Sequence, residues 1–272
     1  MDSNLLGTDV ADMLSTVLHE STGDLLVVDP TRSTLEALIE VASDADRSPP
    51  ALRVLAAEST LKSTLADFLL GSRAADLIEA GTLSIRTLTS HPTNSLLLTD
   101  ETVLATVTAG DRIAGLTTAD AAFVSSAREH YEARWDAADR YGLRTPPLSR
   151  VRSTLADEIG PATRGDFDAV LDSLETARGD GEGLDEVTIS LLVAARNEVL
   201  LYDISKWGED VGIASKATFS RTKTRLEEAG LITTEKVPID VGRPRLRLTL
   251  GEGRLATADI EEFAAVAGDL LA

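Results

Sequence analysis

Basic and hydroxyl side chains recur at helical spacing between positions 215 and 225 of the chain. Phe219 and Leu226 lie seven residues apart, two helical turns, so they share one face of a helix and can anchor it to a core. The other face then carries side chains that donate hydrogen bonds to phosphate oxygens and to base edges in the DNA major groove. These side chains are Ser215, Lys216, Thr218, Ser220, Arg221, Thr224 and Arg225. The pattern predicts a helix that binds DNA, and the alternative is a moderately basic solvated helix.

Two further arginines follow at a predicted hairpin. Arg243 lies between Gly242 and Pro244, which is a turn sequence. Arg245 begins a run in which arginine and leucine alternate, so its arginines share one face of a strand. A tip arginine can reach the minor groove or its phosphates, so Arg243 and Arg245 complete the candidate DNA-binding set. The alternative for Arg243 is an ordinary surface turn.

The elements that must position these side chains resemble a winged helix-turn-helix. Gly212 closes a first helix, Ser215 can cap a second, and Gly230 ends it. Two extended runs joined by a turn then form the hairpin, or wing. The predicted bounds are Asp203 to about Asp210, Ser215 to Ala229, Leu231 to Val237 and Arg245 to Leu250.

The charge distribution supports a polyanionic partner for this segment. The chain has 45 acidic and 26 basic residues and a net charge of −19. Positions 215–247 nevertheless carry eight basic and four acidic residues. A basic island in an acidic chain marks where phosphate groups would dock. The scarcity of lysine and of aromatics is typical of halophilic archaeal proteins; the alternative is an acidic mesophilic protein that avoids nucleic acid.

The N-terminal half alternates apolar strands with helical segments and predicts an α/β domain. Strand, helix and strand in succession indicate a parallel sheet, and Asp100-Glu101 indicates a hairpin turn between two later strands. The predicted strands are Asp24 to Val28, Leu52 to Ala56, Leu83 to Leu88, Ser95 to Thr99, Val103 to Val107 and Ile113 to Leu116. The predicted helices are Asp9 to His19, Thr34 to Ala42 capped by Ser33, Leu61 to Leu70, Arg73 to Ala80 and Thr118 to Ala138.

The domain boundary is predicted at Pro146-Pro147, which cannot lie inside a helix. We therefore expect an α/β domain at 1–142, a linker with a short helix at 143–165, a mostly α winged helix-turn-helix domain at 166–255, and a C-terminal helix at 256–272. Apolar residues from Leu184 to Tyr202 predict one long buried helix behind the helix-turn-helix.

Catalytic and metal-binding motifs are not visible in the sequence. Asp29 ends an apolar strand like a phospho-acceptor, but the acidic pair and late lysine of such a site are missing. His19, His91 and His130 are not at metal-ligand spacing, and the chain has no cysteine. We expect neither an enzyme, a cofactor nor a metal. The lack of a signal peptide and of a membrane-length apolar run predicts a soluble, cytoplasmic protein.

The segments DLLVVDPT, NSLLLTD, LDEVTISLLVAARNEVLLYDISKWGEDVGIASKATFSRTKTRLEEAGLI and KVPIDVGRPRLRL resemble the haloarchaeal TbsP-type transcriptional regulators. The resemblance covers most of the chain. It implies a sequence-specific regulator of central carbon metabolism. The N-terminal half also resembles the sensor domains of TrmB-type regulators, which are similar to phospholipase D folds without the catalytic His-Lys pair. Lys223 departs from winged-helix patterns, because an aliphatic residue is usual there; it either extends past Leu226 to phosphate, or the helix phase is shifted by one residue.

Three functional hypotheses follow. The first is a non-enzymatic transcriptional regulator that binds double-stranded DNA as a homodimer, because one helix reads too few base pairs. The second adds a small-molecule effector that binds the α/β domain near the strand ends around Asp29 and Thr99. The third is a winged-helix adaptor that binds protein and not DNA.

Overall fold

The computed structural model describes residues 4–7, 10–21, 23–44, 49–89, 94–109, 112–174, 184–238, 244–251 and 253–271. The chain divides into two compact units, which are treated separately below. The first unit comprises Met1–Ala66 and Arg73–Leu143, and the second comprises Asp67–Ser72 and Arg144–Ala272. An α/β unit followed by a mostly helical unit confirms the predicted fold class.

Within the described residues, the first unit is built on one eight-stranded sheet in the order β1-β7-β6-β5-β2-β3-β4-β8. Strands β2, β3 and β4 are parallel, as predicted, and the neighbours on both sides are antiparallel. The strands are β1 (Asn4–Gly7), β2 (Leu25–Val28), β3 (Leu52–Ala57), β4 (Leu83–Leu88), β5 (Leu96–Leu98), β6 (Val103–Ala109), β7 (Arg112–Thr118) and β8 (Asp139–Arg140). The helices are α1 (Val10–Glu20), α2 (Arg32–Ser43), α3 (Glu58–Leu65), α4 (Phe68–Glu79) and α5 (Ala121–Ala137), and the residues of α4 up to Ser72 belong to the second unit.

Helix α5 is fixed on one face of this sheet by apolar and charged contacts. Trp135 is buried in a cluster with residues of β2, and the guanidinium groups of Arg53 and Arg86 lie 5.4 and 4.9 Å from its ring centroid. Arg53 also donates hydrogen bonds to Glu132 and pairs with Asp24. The hydrogen bond from Arg53 lowers the pKa of Glu132 although burial opposes the shift. These contacts attach the helix to β2, β3 and β4 together.

The second unit is helical with one hairpin. Strands β9 and β10 pair antiparallel, and Leu200 forms an isolated bridge to Arg247 of β10. The elements are α6 (Leu148–Glu158), α7 (Pro161–Asp172), α8 (Glu186–Arg196), α9 (Leu201–Val211), α10 (Lys216–Glu228), β9 (Ile232–Val237), β10 (Arg245–Leu250), α11 (Gly253–Thr257) and α12 (Ile260–Leu271). The described residues contain no helix long and apolar enough to cross a membrane.

The prediction of a single long helix from Leu184 to Tyr202 is wrong. Helix α8 ends at Arg196, Glu198 takes a positive φ of 54°, and α9 begins at Leu201. The reason is a long-range pairing, because Val199 accepts a hydrogen bond from the Leu248 amide at 3.0 Å. Extended backbone at 199–200 is therefore required by β10, which local periodicity does not reveal.

Other differences are local. Thr31, not Ser33, caps α2, since its hydroxyl accepts from the Thr34 amide. The break between α3 and α4 falls at Asp67, whose carboxylate accepts from the Leu70 amide, and not beyond Leu70. Phe123 of α5 is 55% exposed, whereas Val124 and Trp135 of the same helix are buried. Strands β1 and β8 were not predicted, because each is short and pairs with a distant strand.

The segment predicted as a linker with a short helix, 143–165, contains all of α6. Its residues Leu148, Val151 and Leu155 are buried in the core of the second unit. Phe263, Ala264 and Ala267 of α12 are buried in the same core. The second unit therefore extends beyond the predicted winged-helix bounds of 166–255 at both ends.

A close contact between α9 and α10 gives a first prediction. A Cβ atom added to Gly208 would lie 2.3 Å from Cζ of Phe219, whereas one added to Gly165 of α7 would meet nothing within 4 Å. We expect Gly208→Ala to lower the free energy of unfolding by about 1–3 kcal/mol through overpacking. Gly165→Ala should raise it by up to about 1 kcal/mol, because alanine favours a helix more than glycine. Chemical denaturation of both variants checks this, and equal effects would contradict it.

Candidate nucleic-acid interface

The corner between α9 and α10 is closed by backbone geometry. Gly212 adopts the left-handed conformation with a φ of 95°, and the Ile213 amide donates to the Gly208 carbonyl at 2.8 Å. The Ser215 hydroxyl accepts from the Thr218 amide at 3.2 Å and so caps α10, as predicted. This corner fixes where α10 begins and in which direction it projects.

Helix α10 presents the predicted face outward. Phe219 and Leu226 are both 0% exposed, so the helix is anchored through the predicted residues. Six of the seven predicted contact residues are exposed and Thr218 is half-buried; the six are Ser215, Lys216, Ser220, Arg221, Thr224 and Arg225. Their placement on one exposed helix face suits entry into a major groove, and their contact with DNA stays a prediction.

Lys223 fits neither of the alternatives raised by the sequence. The burial of Phe219 and Leu226 shows that the helix phase is not shifted. The Lys223 side chain is only 14% exposed, and its amine donates to Glu227 at 2.7 Å. Burial acts to raise the pKa of Glu227, but hydrogen bonds from Lys223 and Thr234 lower it below its ordinary value. Lys223 therefore takes part in a contact between α10 and β9.

The two arginines of α10 differ in their surroundings. Arg225 donates to the Thr188 hydroxyl of α8 at 2.9 Å, which holds its guanidinium against the body of the unit. Arg221 is exposed and reaches only the Thr218 hydroxyl, at 3.4 Å, among the residues that the structure describes. Arg221 is thus the freer of the two to meet an incoming anion.

Lys216 is held by a carboxylate that the sequence did not point to. Glu209 of α9 accepts from both the Lys216 amine, at 2.9 Å, and the Lys216 backbone amide, at 3.2 Å. These hydrogen bonds lower the pKa of Glu209 and raise the pKa of Lys216. Within α9, Lys206 pairs with Asp210, the residue after Glu209, at 2.6 Å. Only folding brings Glu209 to the first residue of α10.

The structure describes only one of the two arginines predicted for the wing. Arg243 lies outside the described residues, so its role stays a prediction from the sequence. Arg245 is half-buried, pairs with Asp203 at 3.2 Å, and stacks over the Tyr202 ring at 4.3 Å. Tyr202 is itself 47% exposed. The Arg245 side chain therefore lies against the start of α9.

Asp29 and Thr99, which were expected to lie around one effector site, do not lie together. Strand β5 pairs antiparallel with β2, with Leu98 opposite Leu26 and Leu96 opposite Val28. Thr99 therefore lies at the beginning of β2 and Asp29 at its end. Thr99 lines a small groove of about 90 Å³ between the end of α1 and the β5–β6 turn, and Asp29 does not. No cluster of three metal-ligand side chains occurs among the described residues.

Family models match almost the whole chain. Residues 2–146 match the N-terminal domain of TbsP-like transcriptional regulators, and residues 147–268 match their C-terminal helix-turn-helix domain. No curated protein sequence matches the chain.

Similar solved structures are more distant. They include TrmBL2, described as an archaeal chromatin protein with a novel mode of DNA binding, at 16% identity and a TM-score of 0.37. That match covers 51% of this chain and 53% of TrmBL2, so the chain spans about half of that protein. The phospholipase D family member Nuc from Salmonella typhimurium matches at 13% identity and a TM-score of 0.35, over 51% of this chain and 97% of Nuc. These likenesses are too remote to assign a ligand or an activity.

The cap of α10 gives a second prediction. We expect Ser215→Ala to lower the free energy of unfolding by about 1 kcal/mol, because the Thr218 amide loses its acceptor. Ser220→Ala is the matched control, since Ser220 lies on the exposed face of the same helix and should change stability by less than about 0.5 kcal/mol. Denaturant titration measures both. A Ser215 variant as stable as the control would show that this cap does not support the helix.

Proposed function

The chain belongs to the family of TbsP-like transcriptional regulators, and we propose that it binds specific DNA sites as a homodimer, without enzymatic activity, through the outer face of α10. The observation that carries this proposal is the exposed face of α10, which is anchored by Phe219 and Leu226 and carries basic and hydroxyl groups outward. Such a face supplies donors for both phosphates and base edges.

We assign different tasks to different residues of this face. Ser215 and Lys216 lie at the first turn of α10, where the helix dipole favours a phosphate. Ser220, Arg221 and Thr224 lie further along, where an inserted helix meets base edges. Arg225, tied to α8, and Thr218 support these side chains, while Arg243 and Arg245 of the wing contact the flanking backbone.

A homodimer is the proposed binding form because one recognition helix contacts too few base pairs to select a site in a genome. A two-fold dimer doubles these contacts and requires two half-sites about one helical turn of DNA apart. Light scattering of the free protein, together with the spacing of protected half-sites in footprints, tests this part. A monomer that protects a single half-site would contradict it.

The proposed targets are genes of central carbon metabolism in a halophilic archaeon, as the family resemblance implies. The proposed effector is a small metabolite bound at the groove beside Thr99, whose walls carry hydroxyl and carboxylate groups. Genome-wide binding measured with and without sugar tests both. An absence of sequence-defined peaks would instead favour the adaptor hypothesis. If no compound in a panel of metabolites shifts the melting temperature of the protein, the proposed effector is rejected.

Arg221 gives the prediction that tests the DNA interface. We expect Arg221→Ala to weaken binding to a genomic site by about 1–3 kcal/mol and to relax its sequence preference, because a guanidinium at a base edge is lost. Arg243→Ala should weaken binding more uniformly across sequences, as expected of a backbone contact.

Lys223→Met is the matched control, since it removes a charge from the same helix at an inward position. Its affinity should remain within about twofold of wild type, because the Lys223 side chain is only 14% exposed and its amine is bonded to Glu227. Fluorescence anisotropy with a labelled duplex from a mapped site measures all three variants. If Arg221→Ala binds like wild type, α10 does not read DNA in the way proposed.

A further inference from the structure

Two basic side chains of the proposed interface, and one of α9 itself, are each paired with a carboxylate of α9. Lys216 of α10 pairs with Glu209 and Arg245 of β10 pairs with Asp203. Lys206, on α9 itself, pairs with Asp210. These three carboxylates share one short helix that contacts both α10 and β10.

The pairs are accessible to solvent and to an approaching molecule. The six side chains are between 38% and 48% exposed. Ion pairs at such exposure contribute little to stability, so a competing anion can displace the carboxylates. The Glu209 contact has the geometry of a bound anion, because one carboxylate meets both the amine and the backbone amide at the start of α10.

We infer that the α9 carboxylates are internal substitutes for DNA phosphates, which DNA must displace from Lys216, Arg245 and Lys206. This inference rests on the proposed function and adds to it a mechanism that sets the salt dependence of binding. In the free protein the basic groups are held in place by Glu209, Asp203 and Asp210. In the complex the same groups bind phosphate, and the carboxylates are released beside the DNA.

The exchange changes the ion balance of binding. Each basic group that neutralises a phosphate releases about 0.9 counterions from duplex DNA. Each carboxylate left beside the phosphates in turn attracts a cation from solution, which offsets that release. The affinity of the wild-type protein should therefore fall less with salt than its number of basic contacts implies. The cost is weaker binding at low salt, where the displaced carboxylates repel the DNA.

The test compares two full-length variants that carry the same change in net charge. The first is Asp203→Asn, Glu209→Gln and Asp210→Asn combined, which removes the competing carboxylates. The control is Asp172→Asn, Glu262→Gln and Asp269→Asn combined, which neutralises exposed carboxylates of α7 and α12. A labelled mixed-sequence duplex is the probe, and affinity is measured from about 0.1 M to about 1 M potassium chloride.

We expect the α9 variant to bind about a hundredfold more tightly than wild type at about 0.1 M salt and equally at about 1 M. That corresponds to a slope of log K against log salt steeper by about two. The control variant should keep the wild-type slope. Glu209→Gln alone, expected to steepen the slope by about one unit at most, provides the same comparison if the triple variant melts at a lower temperature.

The outcomes separate this inference from the proposed function. If the wild-type protein binds the duplex, and the salt slope is the same for wild type and for both neutralised α9 variants, the inference is overturned. The proposed function then remains in place. An equal steepening in the α7/α12 control would also overturn it, because overall charge would then be the cause. If neither wild type nor any variant binds the duplex, the proposed function fails and the inference fails with it.

Discussion

The second unit depends on the contact between the bare backbone of Gly208 and the ring of Phe219. No side chain separates α9 from α10 at this point, and the ring fills the space that a Cβ atom would occupy. Phe219 is fully buried, and with Leu226 it fixes the rotation of α10 about its axis. The left-handed turn at Gly212 and the cap at Ser215 fix the start of the helix. The positions of the side chains on the outer face of α10 therefore depend on this contact.

A second constraint links the wing to the start of α9, at the other end of that helix from Gly212. Leu200 bridges to Arg247, and Leu248, one residue further along β10, is fully buried. This pairing interrupts the helix that would otherwise continue from α8, and it allows α9 to begin at Leu201. It also places Arg245 against Tyr202 and Asp203, at the start of α9. One backbone pairing thus sets the start of α9 and brings a wing arginine to it.

Features that depend on near neighbours in the sequence could be predicted. The Ser215 cap, the stop at Gly230 and the burial of Phe219 and Leu226 all follow from spacing within a few helical turns. The long helix at 184–202 could not be predicted correctly, because its break is imposed by β10, almost fifty residues later.

The same limit explains the separation of Asp29 and Thr99. Both residues end apolar runs of the sequence, so both appeared to lie at the same edge of a sheet. The antiparallel direction of β5 beside β2 places them at opposite edges. Strand direction is set by pairing across the sheet, and a run of apolar residues contains no information about it.

The charge count shows how the sequence overstates the attraction of this surface for DNA. Counted alone, positions 215–247 form a basic island, but the count begins after α9 and so omits Asp203 and Glu209, which pair with two of its cations. Two more, Lys223 and Arg247, pair with Glu227 and Glu235 inside the island.

What remains on α10 is a pair of arginines whose observed side-chain partners are hydroxyl groups. In a chain with a net charge of −19, such a surface attracts DNA weakly at long range. For the function proposed above, affinity must therefore arise at short range, from hydroxyl and guanidinium groups that can donate hydrogen bonds to base edges and that salt screens less than distant charges. On that proposal, sequence-specific contacts supply a larger share of the binding free energy than they do in a strongly basic DNA-binding domain.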